Sequence, residues 1–347
     1  MVDPVADAFR ILGHFWLEEV RPDDIATIAA LPELGDALPG TGAAALDELA
    51  VEYQRLFGFN LPPYESVFID PSAMLFAAAT AHLQALYRRG SWSPPADVRV
   101  GAPDHLGLEL LALADGLADG RHEFARRLHA EHLALWVPPL IQALQRLAPQ
   151  PFYARLGDLT LALLLETLPA EPLPAVRDPF PALPPPPVYQ GNGMVPPPEA
   201  EPALDHGSRS QTSEVSEDFG SPRSRAPGDD LTDVRDLRTI VRRLLAPREA
   251  GLFLTRTDLA RLSRGLHLAG VMGERSRMLE MLFRLAGQYD LLPILSDQLV
   301  RLFEEADATY CTWVEEYPHW SVYAEAWRRR LATTRAGLAG LGSAIQG

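Results

Sequence analysis

The placement of proline is the feature that most constrains the fold of this chain. Of its 32 prolines, 14 lie between residues 172 and 229, with unbroken runs at 184–187 and 196–198. Proline fixes φ and lacks a backbone N–H, so this density is incompatible with a helix or a central strand. A stretch rich in Ser, Glu, Asp and Arg follows over 208–225, and it has too little apolar surface to offset the entropy of ordering it. The sequence therefore predicts a disordered Pro/Ser-rich linker over residues 172–229.

Both flanking parts show helical periodicity. Before the linker, apolar residues recur every three or four positions over 6–20, 42–57, 72–89, 103–117, 121–137 and 152–168. After it, the same pattern covers 231–245, 257–268, 276–288, 292–306 and 310–331. Neither part contains β-branched runs that alternate with period two. The predicted fold class is all-α, with a helical-bundle domain over 1–171 and a second small helical domain over 230–347.

Composition excludes several kinds of active site. The single cysteine, Cys311, cannot form an intrachain disulfide or a four-cysteine metal site. The chain has no lysine, which removes a Walker A lysine, a pyridoxal Schiff base and a lysine nucleophile. His129 and His132 are three residues apart, but no third metal ligand follows at a meaningful spacing. We therefore expect no catalytic residues, no metal, no cofactor and no enzymatic activity.

Charge is unevenly distributed along the chain. The net charge is −12 over residues 1–171, −4 over 172–229 and +1 over 230–347. An acidic first domain favours a basic partner and argues against nucleic acid, whose phosphates attract positive charge. The first residues lack an apolar signal region, and no run of about eighteen apolar residues occurs. We expect a cytoplasmic protein without a membrane span.

Two short stretches carry the clearest signal. The first is the rigid connector 61–66, in which two prolines hold Tyr64, Glu65 and Ser66 on a stiff backbone. The second is 103–105, in which Asp104 is expected to cap a helix whose first turn holds His105, with Glu109 four residues on. On their residues alone, both stretches are also compatible with a plain helix-connecting loop and a plain capped helix.

The order of these stretches resembles the TorD/DmsD family of molybdoenzyme maturation chaperones. The similarity covers about residues 1–168 and continues through the helix with His132, Trp136 and Pro138. The helix after Asp104 departs from the family pattern, because Leu111 and Ala112 follow Glu109-Leu110 where members often have an acid and an aromatic residue. The linker and the second domain lie outside the similarity.

The resemblance implies an all-helical chaperone that binds the twin-arginine signal region, or the body, of an apo molybdopterin oxidoreductase subunit. Such a chaperone assists cofactor insertion before export or assembly. A leader of this kind presents two guanidiniums followed by an apolar stretch, which an acidic groove beside apolar surface would complement. We expect the groove to be lined by these residues: Tyr64, Glu65, Ser66, Asp104, His105 and Glu109. The resemblance leaves a monomer and a domain-swapped homodimer both open.

A regulatory protein is the alternative interpretation. Residues 254–262 superficially resemble the entry to a helix-turn-helix, and Arg256, Arg261 and Arg264 could contact phosphates or a protein. Trp313, Trp320 and Trp327 recur every seven residues, which is typical of a packing stripe and less often of a binding surface. The neutral charge of residues 230–347 favours the chaperone interpretation over binding to DNA.

Overall fold

Helices make up nearly all the regular structure in the computed structural model, which describes residues 3–168, 178–183 and 237–344. The helices before the first gap are α1 (Pro4–Leu17), α2 (Ile25–Ala29), α3 (Pro32–Gly35), α4 (Ala43–Tyr53), α5 (Glu65–Ile69), α6 (Ala78–Arg89), α7 (Leu106–Ala118), α8 (His122–Arg127), α9 (Ala134–Leu147) and α10 (Pro151–Glu166). Two π-helical segments, Gln54–Asn60 and Leu128–Leu133, extend α4 and join α8 to α9. A short 3₁₀ turn, Pro22–Asp24, precedes α2.

The helices after the second gap are α11 (Leu237–Leu245), α12 (Pro247–Ala250), α13 (Arg256–Gly265), α14 (Arg275–Gln288), α15 (Leu292–Glu316) and α16 (Ser321–Ala344). A 3₁₀ turn, Pro318–Trp320, separates the last two. The described residues contain no strand, only an isolated bridge between Tyr64 and His105. The prediction of an all-α fold is confirmed.

Some predicted helix boundaries are wrong, for local reasons. The helix expected from residue 72 begins at Ala78, because Ala73 and Phe76 both have positive φ values that a helix cannot accommodate. The break expected near residue 307 does not occur, and α15 continues to Glu316. Nothing in that stretch removes a helical hydrogen bond, whereas Pro318, just after α15, cannot continue one.

A close helix crossing organises the part of the core before the first gap. Helices α1 and α7 approach through Gly13 and Gly107, and a Cβ built on Gly107 would lie 2.6 Å from the Gly13 carbonyl oxygen. The absence of a side chain is therefore required at this crossing. On the same helix α1, the buried Trp16 donates from Nε1 to Oγ1 of Thr160 at 2.9 Å, which ties α1 to α10.

The helices on either side of the gaps form one compact unit. Phe68 of α5 stacks on Phe253 with ring centroids 5.2 Å apart. Nε2 of Gln142 donates to the Ala306 carbonyl at 2.9 Å, and Arg146 donates to the Phe253 carbonyl at 2.7 Å. The division into domains at 171/172 and 229/230 stays a prediction, but the two helical parts share buried contacts.

The clearest of these contacts involve two prolines inside α9. Pro138 and Pro139 have no N–H, so the carbonyls of Ala134 and Leu135, four residues earlier, lose their helical donors. Nε1 of Trp320 donates to the Ala134 carbonyl at 2.9 Å, and Nε1 of Trp327 donates to the Leu135 carbonyl at 2.7 Å. Both indoles are fully buried. The helix therefore continues through both prolines, since donors from another part of the chain replace the missing ones.

Most of the predicted linker lies outside the described residues, and residues 178–183 are the described exception. Phe180 is buried, with its ring 4.9 Å from that of Trp327. The Arg330 guanidinium lies 3.7 Å from the centre of the Phe180 ring and also pairs with Asp178 at 2.9 Å. This short segment therefore differs from the expectation of disorder, because one aromatic side chain finds a buried site next to α16.

We predict that Trp320→Phe and Trp327→Phe each lower the free energy of unfolding by about 1–3 kcal/mol from the unpaired carbonyl alone. Each change keeps an aromatic ring but leaves one buried carbonyl of α9 without a donor. Urea unfolding of the full chain measures the effect. Trp313→Phe is the matched control, since Trp313 packs by ring contact against Trp320 and Tyr310. An equal loss in all three variants would contradict the hydrogen-bonding role.

Candidate functional site

The two stretches singled out in the sequence lie side by side. The backbone N–H of Glu65 donates to the Asp104 carbonyl at 2.9 Å, and the N–H of Leu106 donates to the Pro63 carbonyl at 2.9 Å. The rings of Tyr64 and His105 meet edge to face with centroids 4.9 Å apart. The rigid connector before α5 is thus joined to the start of α7 by a short antiparallel bridge.

Asp104 caps a different helix from the one expected. The residue that caps α7 is His105, whose Nδ1 accepts from the Gly107 N–H at 3.1 Å. Oδ2 of Asp104 instead accepts from the Ser66 N–H at 2.8 Å and so caps α5 across the bridge. The prediction of Asp104 as the cap of its own helix is wrong, because the bridge brings the free N–H groups of α5 nearer to its carboxylate. Burial lowers the pKa of His105 to about 3, which keeps Nδ1 free to accept.

Glu65 forms the central pair of the site. It projects from the first turn of α5, and both of its carboxylate oxygens lie 2.9 Å from Nδ1 of His132 on the π-helical segment 128–133. Both side chains are only 1% exposed. Burial raises the pKa of Glu65, and the neighbouring His132 acts in the opposite direction. Because an ionised carboxylate can only accept, Nδ1 of His132 is the donor when Glu65 is ionised.

Glu109 adds a third buried carboxyl group. Its Oε2 accepts from Nε1 of Trp136 at 3.3 Å, and its Oε1 has no hydrogen-bond partner among the described residues. Burial, followed by the charge of Glu65, raises the pKa of Glu109 well above its usual range. The neutral acid is therefore the favoured form of Glu109 in the folded protein.

The structure brings all six predicted site residues together, but as a buried cluster. Tyr64 is half-buried, with its hydroxyl accepting from the Gly101 N–H at 3.0 Å, and the other five are buried. We call this group, with His132, the polar cluster. Neither Glu65 nor Asp104 reaches solvent in this arrangement, so a direct contact between either carboxylate and a partner stays a prediction. Two further side chains, His82 and Glu131, converge on His132 of this cluster.

An exposed acidic cleft lies on α1 and α4, where the sequence analysis placed no site. Its volume is about 490 Å³, and its lining includes Glu18, Glu19 and Asp47 together with Arg21 and Arg99. Glu18 pairs with Arg21 at 2.8 Å, and Glu19 accepts from Nε2 of Gln54 at 2.7 Å. The carboxylates of this acidic cleft are accessible to a cationic partner, unlike those of the polar cluster.

The acidic cleft continues into an apolar depression of about 500 Å³, which shares Glu19, Ala50 and Gln54 with it. Val51 and Phe59, which line the apolar depression, are 70% and 64% exposed. Phe59 also lines a third recess with Leu75 and Phe253. Val51 is not part of the apolar stripe from which α4 was predicted. An apolar residue outside that stripe was the sequence signal that could have indicated an exposed apolar surface.

Residues 22–142 match the family model described as the nitrate reductase delta subunit. A stretch of 118 residues is 30% identical to the probable Tat proofreading chaperone DmsD of Haemophilus influenzae. That stretch covers 33% of this chain and 57% of the relative, so the chain spans little more than half the length of that protein. Residues 22–142 are therefore similar to the TorD/DmsD family of chaperones.

The matched residues include the whole polar cluster, whereas Glu18 and Glu19 of the acidic cleft lie before them. Glu65, Asp104, Glu109 and His132 all fall within residues 22–142, as do α4 and Phe59. The match ends inside α9, so α10 and residues 237–344 lie beyond it. No helix among the described residues is both long and apolar enough to cross a membrane.

We predict that Glu109→Gln makes the protein more stable than the wild type above the usual carboxyl range. A raised pKa means that the folded wild type keeps a proton which the unfolded chain releases above about pH 4.5, so its stability falls as the pH rises. The neutral amide does not titrate. The difference in unfolding free energy should therefore grow by up to about 1.4 kcal/mol per pH unit.

Urea unfolding at several pH values between 4.5 and 8 measures this difference. Glu280→Gln, at an exposed position on α14, is the control and should show no such trend. A constant difference between Glu109→Gln and the wild type across the range would show that Glu109 ionises normally.

Proposed function

We propose that this protein is a non-catalytic cytoplasmic chaperone for an apo molybdopterin oxidoreductase subunit. It binds the twin-arginine leader of that subunit, and assists cofactor insertion before export or assembly. Two similarities support this proposal. Residues 22–142 match the family model of the nitrate reductase delta subunit, and the Haemophilus influenzae relative is a probable Tat proofreading chaperone. The observation that carries it is the acidic cleft that runs directly into the apolar depression.

The two adjoining surfaces match the two chemical parts of such a leader. Guanidiniums form strong hydrogen bonds with carboxylates, and Glu19 and Asp47 are free of arginine partners among the described residues. The apolar stretch that follows the arginines would cover Val51 and Phe59, which are otherwise in contact with water. Burying an exposed side chain the size of Phe contributes about 1.5–3 kcal/mol, so the apolar part would supply much of the affinity.

The polar cluster takes part in this proposal as a support. The connector that holds Glu65 follows directly after the π-helical segment 54–60, which presents Phe59. Arg256 donates to the Phe59 carbonyl at 3.4 Å, and Nδ2 of Asn60 donates to the Arg55 carbonyl at 2.7 Å. Capping of α5 by Asp104 and pairing of Glu65 with His132 fix one end of the connector. Direct binding of the leader by the six residues requires the cluster to open.

We predict that the leader peptide binds with an affinity that falls in high salt. The peptide is the twin-arginine leader of the molybdopterin oxidoreductase subunit encoded next to this protein, titrated calorimetrically into the full chain. Glu19→Gln combined with Asp47→Asn should weaken binding by about 2- to 10-fold, at about 0.2–1 kcal/mol for each exposed ion pair. Phe59→Ser should weaken binding by about 10-fold or more.

Matched controls separate the surface from the overall charge. The double variant Glu304→Gln with Glu305→Gln makes the same charge change at exposed positions of α15. Ile294→Ser removes an exposed apolar side chain outside the acidic cleft and the apolar depression. Neither should change the affinity. Equal weakening by the acidic pair and its control would assign the effect to net charge alone. A leader that does not bind in low salt would overturn the proposal for this part of the client.

The regulatory alternative has no specific contact in its favour. The segment that resembles a helix-turn-helix entry is a capping box, in which Thr255 and Asp258 bond each other across the first turn of α13. Asp258 is buried and pairs with Arg146 of α9 at 3.4 Å. Thr255 and Asp258 of that segment therefore serve the packing of α13 against α9.

A further inference from the structure

Beside the polar cluster, three side chains from two elements converge on one point. His82 projects from α6, while Glu131 and His132 come from the π-helical segment 128–133. One ligand atom from each lies within 4.8 Å of the others. We propose that His82, Glu131 and His132 bind a divalent transition-metal ion of the zinc class, with Glu65 orienting His132. None of these side chains lines the acidic cleft or the apolar depression.

His132 carries the strongest evidence. Its Nδ1 faces Glu65, whereas its Nε2 is buried and has no hydrogen-bond partner among the described residues. A buried polar nitrogen without a partner is destabilising, so this nitrogen needs an explanation. A histidine ligand typically donates its second N–H to a carboxylate, which fixes the tautomer and directs the other nitrogen at the metal. Glu65 and His132 have this arrangement.

The other two side chains complete a set of two imidazoles and one carboxylate. His82 lies on the surface with its ring centroid 5.4 Å from that of His132. Glu131 is held by Arg127 through two contacts of 2.7 Å. A carboxylate has lone pairs enough to keep one such contact while it binds a metal.

The backbone helps this convergence. Consecutive residues of an α-helix point about 100° apart, which normally sends neighbours such as Glu131 and His132 to different sides. The wider turn of a π-helix reduces that divergence, and π-turns recur at functional sites. A tetrahedral zinc site places its ligand atoms about 3.4 Å apart, so closure requires a movement of roughly 1 Å. The exposed His82 side chain can supply it.

The ligand set selects the class of metal. Two imidazoles and a carboxylate favour Zn²⁺ and its first-row neighbours over Ca²⁺ and Mg²⁺, which prefer oxygen ligands alone. Three protein ligands leave one coordination position open to water or to a group from a partner. Binding would link α6 to the π-helical segment, and it would leave His132 without a free nitrogen.

Cobalt spectroscopy on the untagged full chain tests the proposal. Protein freed of metal with a chelator is titrated with Co²⁺ alone, and then with Zn²⁺ as a competitor. The expected result is the intense visible spectrum of four-coordinate Co²⁺, lost on addition of one equivalent of Zn²⁺. Glu65→Gln should weaken binding about 10- to 100-fold, the range for residues that orient a ligand.

His82→Ala is the decisive variant, because this exposed side chain can be removed without disturbing the buried Glu65–His132 pair. We expect it to abolish the four-coordinate spectrum and the rise in Tm that Zn²⁺ gives the wild type. His122→Ala, at an exposed position on α8, should behave as the wild type. A Co²⁺ spectrum that stays that of the hydrated ion, or equal binding by the His82 and His122 variants, would overturn the proposal.

Discussion

The hydrogen bonds from Trp320 and Trp327 to α9 are the contacts on which the rest of the structure depends. Two consecutive prolines in a buried helix leave two carbonyls unpaired, and water cannot reach them there. Two indole N–H groups from the far end of the chain meet this need. The same helix carries Trp136, which reaches Glu109, and Arg146, which reaches the residues before α13. Completion of α9 therefore couples the two helical parts.

This coupling explains why the polar cluster can be held so rigidly. Glu65, Asp104 and Glu109 place three carboxyl groups in a buried region, which is stable only if each is paired, capped or neutral. Glu65 is paired with His132, Asp104 caps α5, and the raised pKa of Glu109 favours its neutral form. A polar arrangement of this kind fixes the geometry of the connector, and the connector in turn presents Phe59 on the surface.

The division of roles between buried and exposed residues follows from the same physics. A carboxylate that stabilises a helix end or a histidine has little capacity left for an incoming guanidinium. At the edge of α1 and α4, Glu18 pairs with Arg21 and Glu19 accepts from Gln54, whereas Asp47 has no arginine partner among the described residues. The cleft that they line adjoins exposed apolar side chains. The proposed client surface thus uses surface groups, whereas the proposed metal site uses a buried nitrogen without a hydrogen-bond partner among the described residues.

The sequence by itself determined the all-α fold and the grouping of the 61–66 and 103–105 stretches, because periodicity, proline and short motifs are local properties. It could not determine that Asp104 caps α5 and not its own helix, since that choice depends on a bridge between residues far apart in the chain. The meeting of His82 with His132, the burial of Glu65 and the continuity of α9 through Pro138 were likewise decided only in three dimensions. Burial and long-range donors settle each of these, and neither is encoded in the spacing of nearby residues.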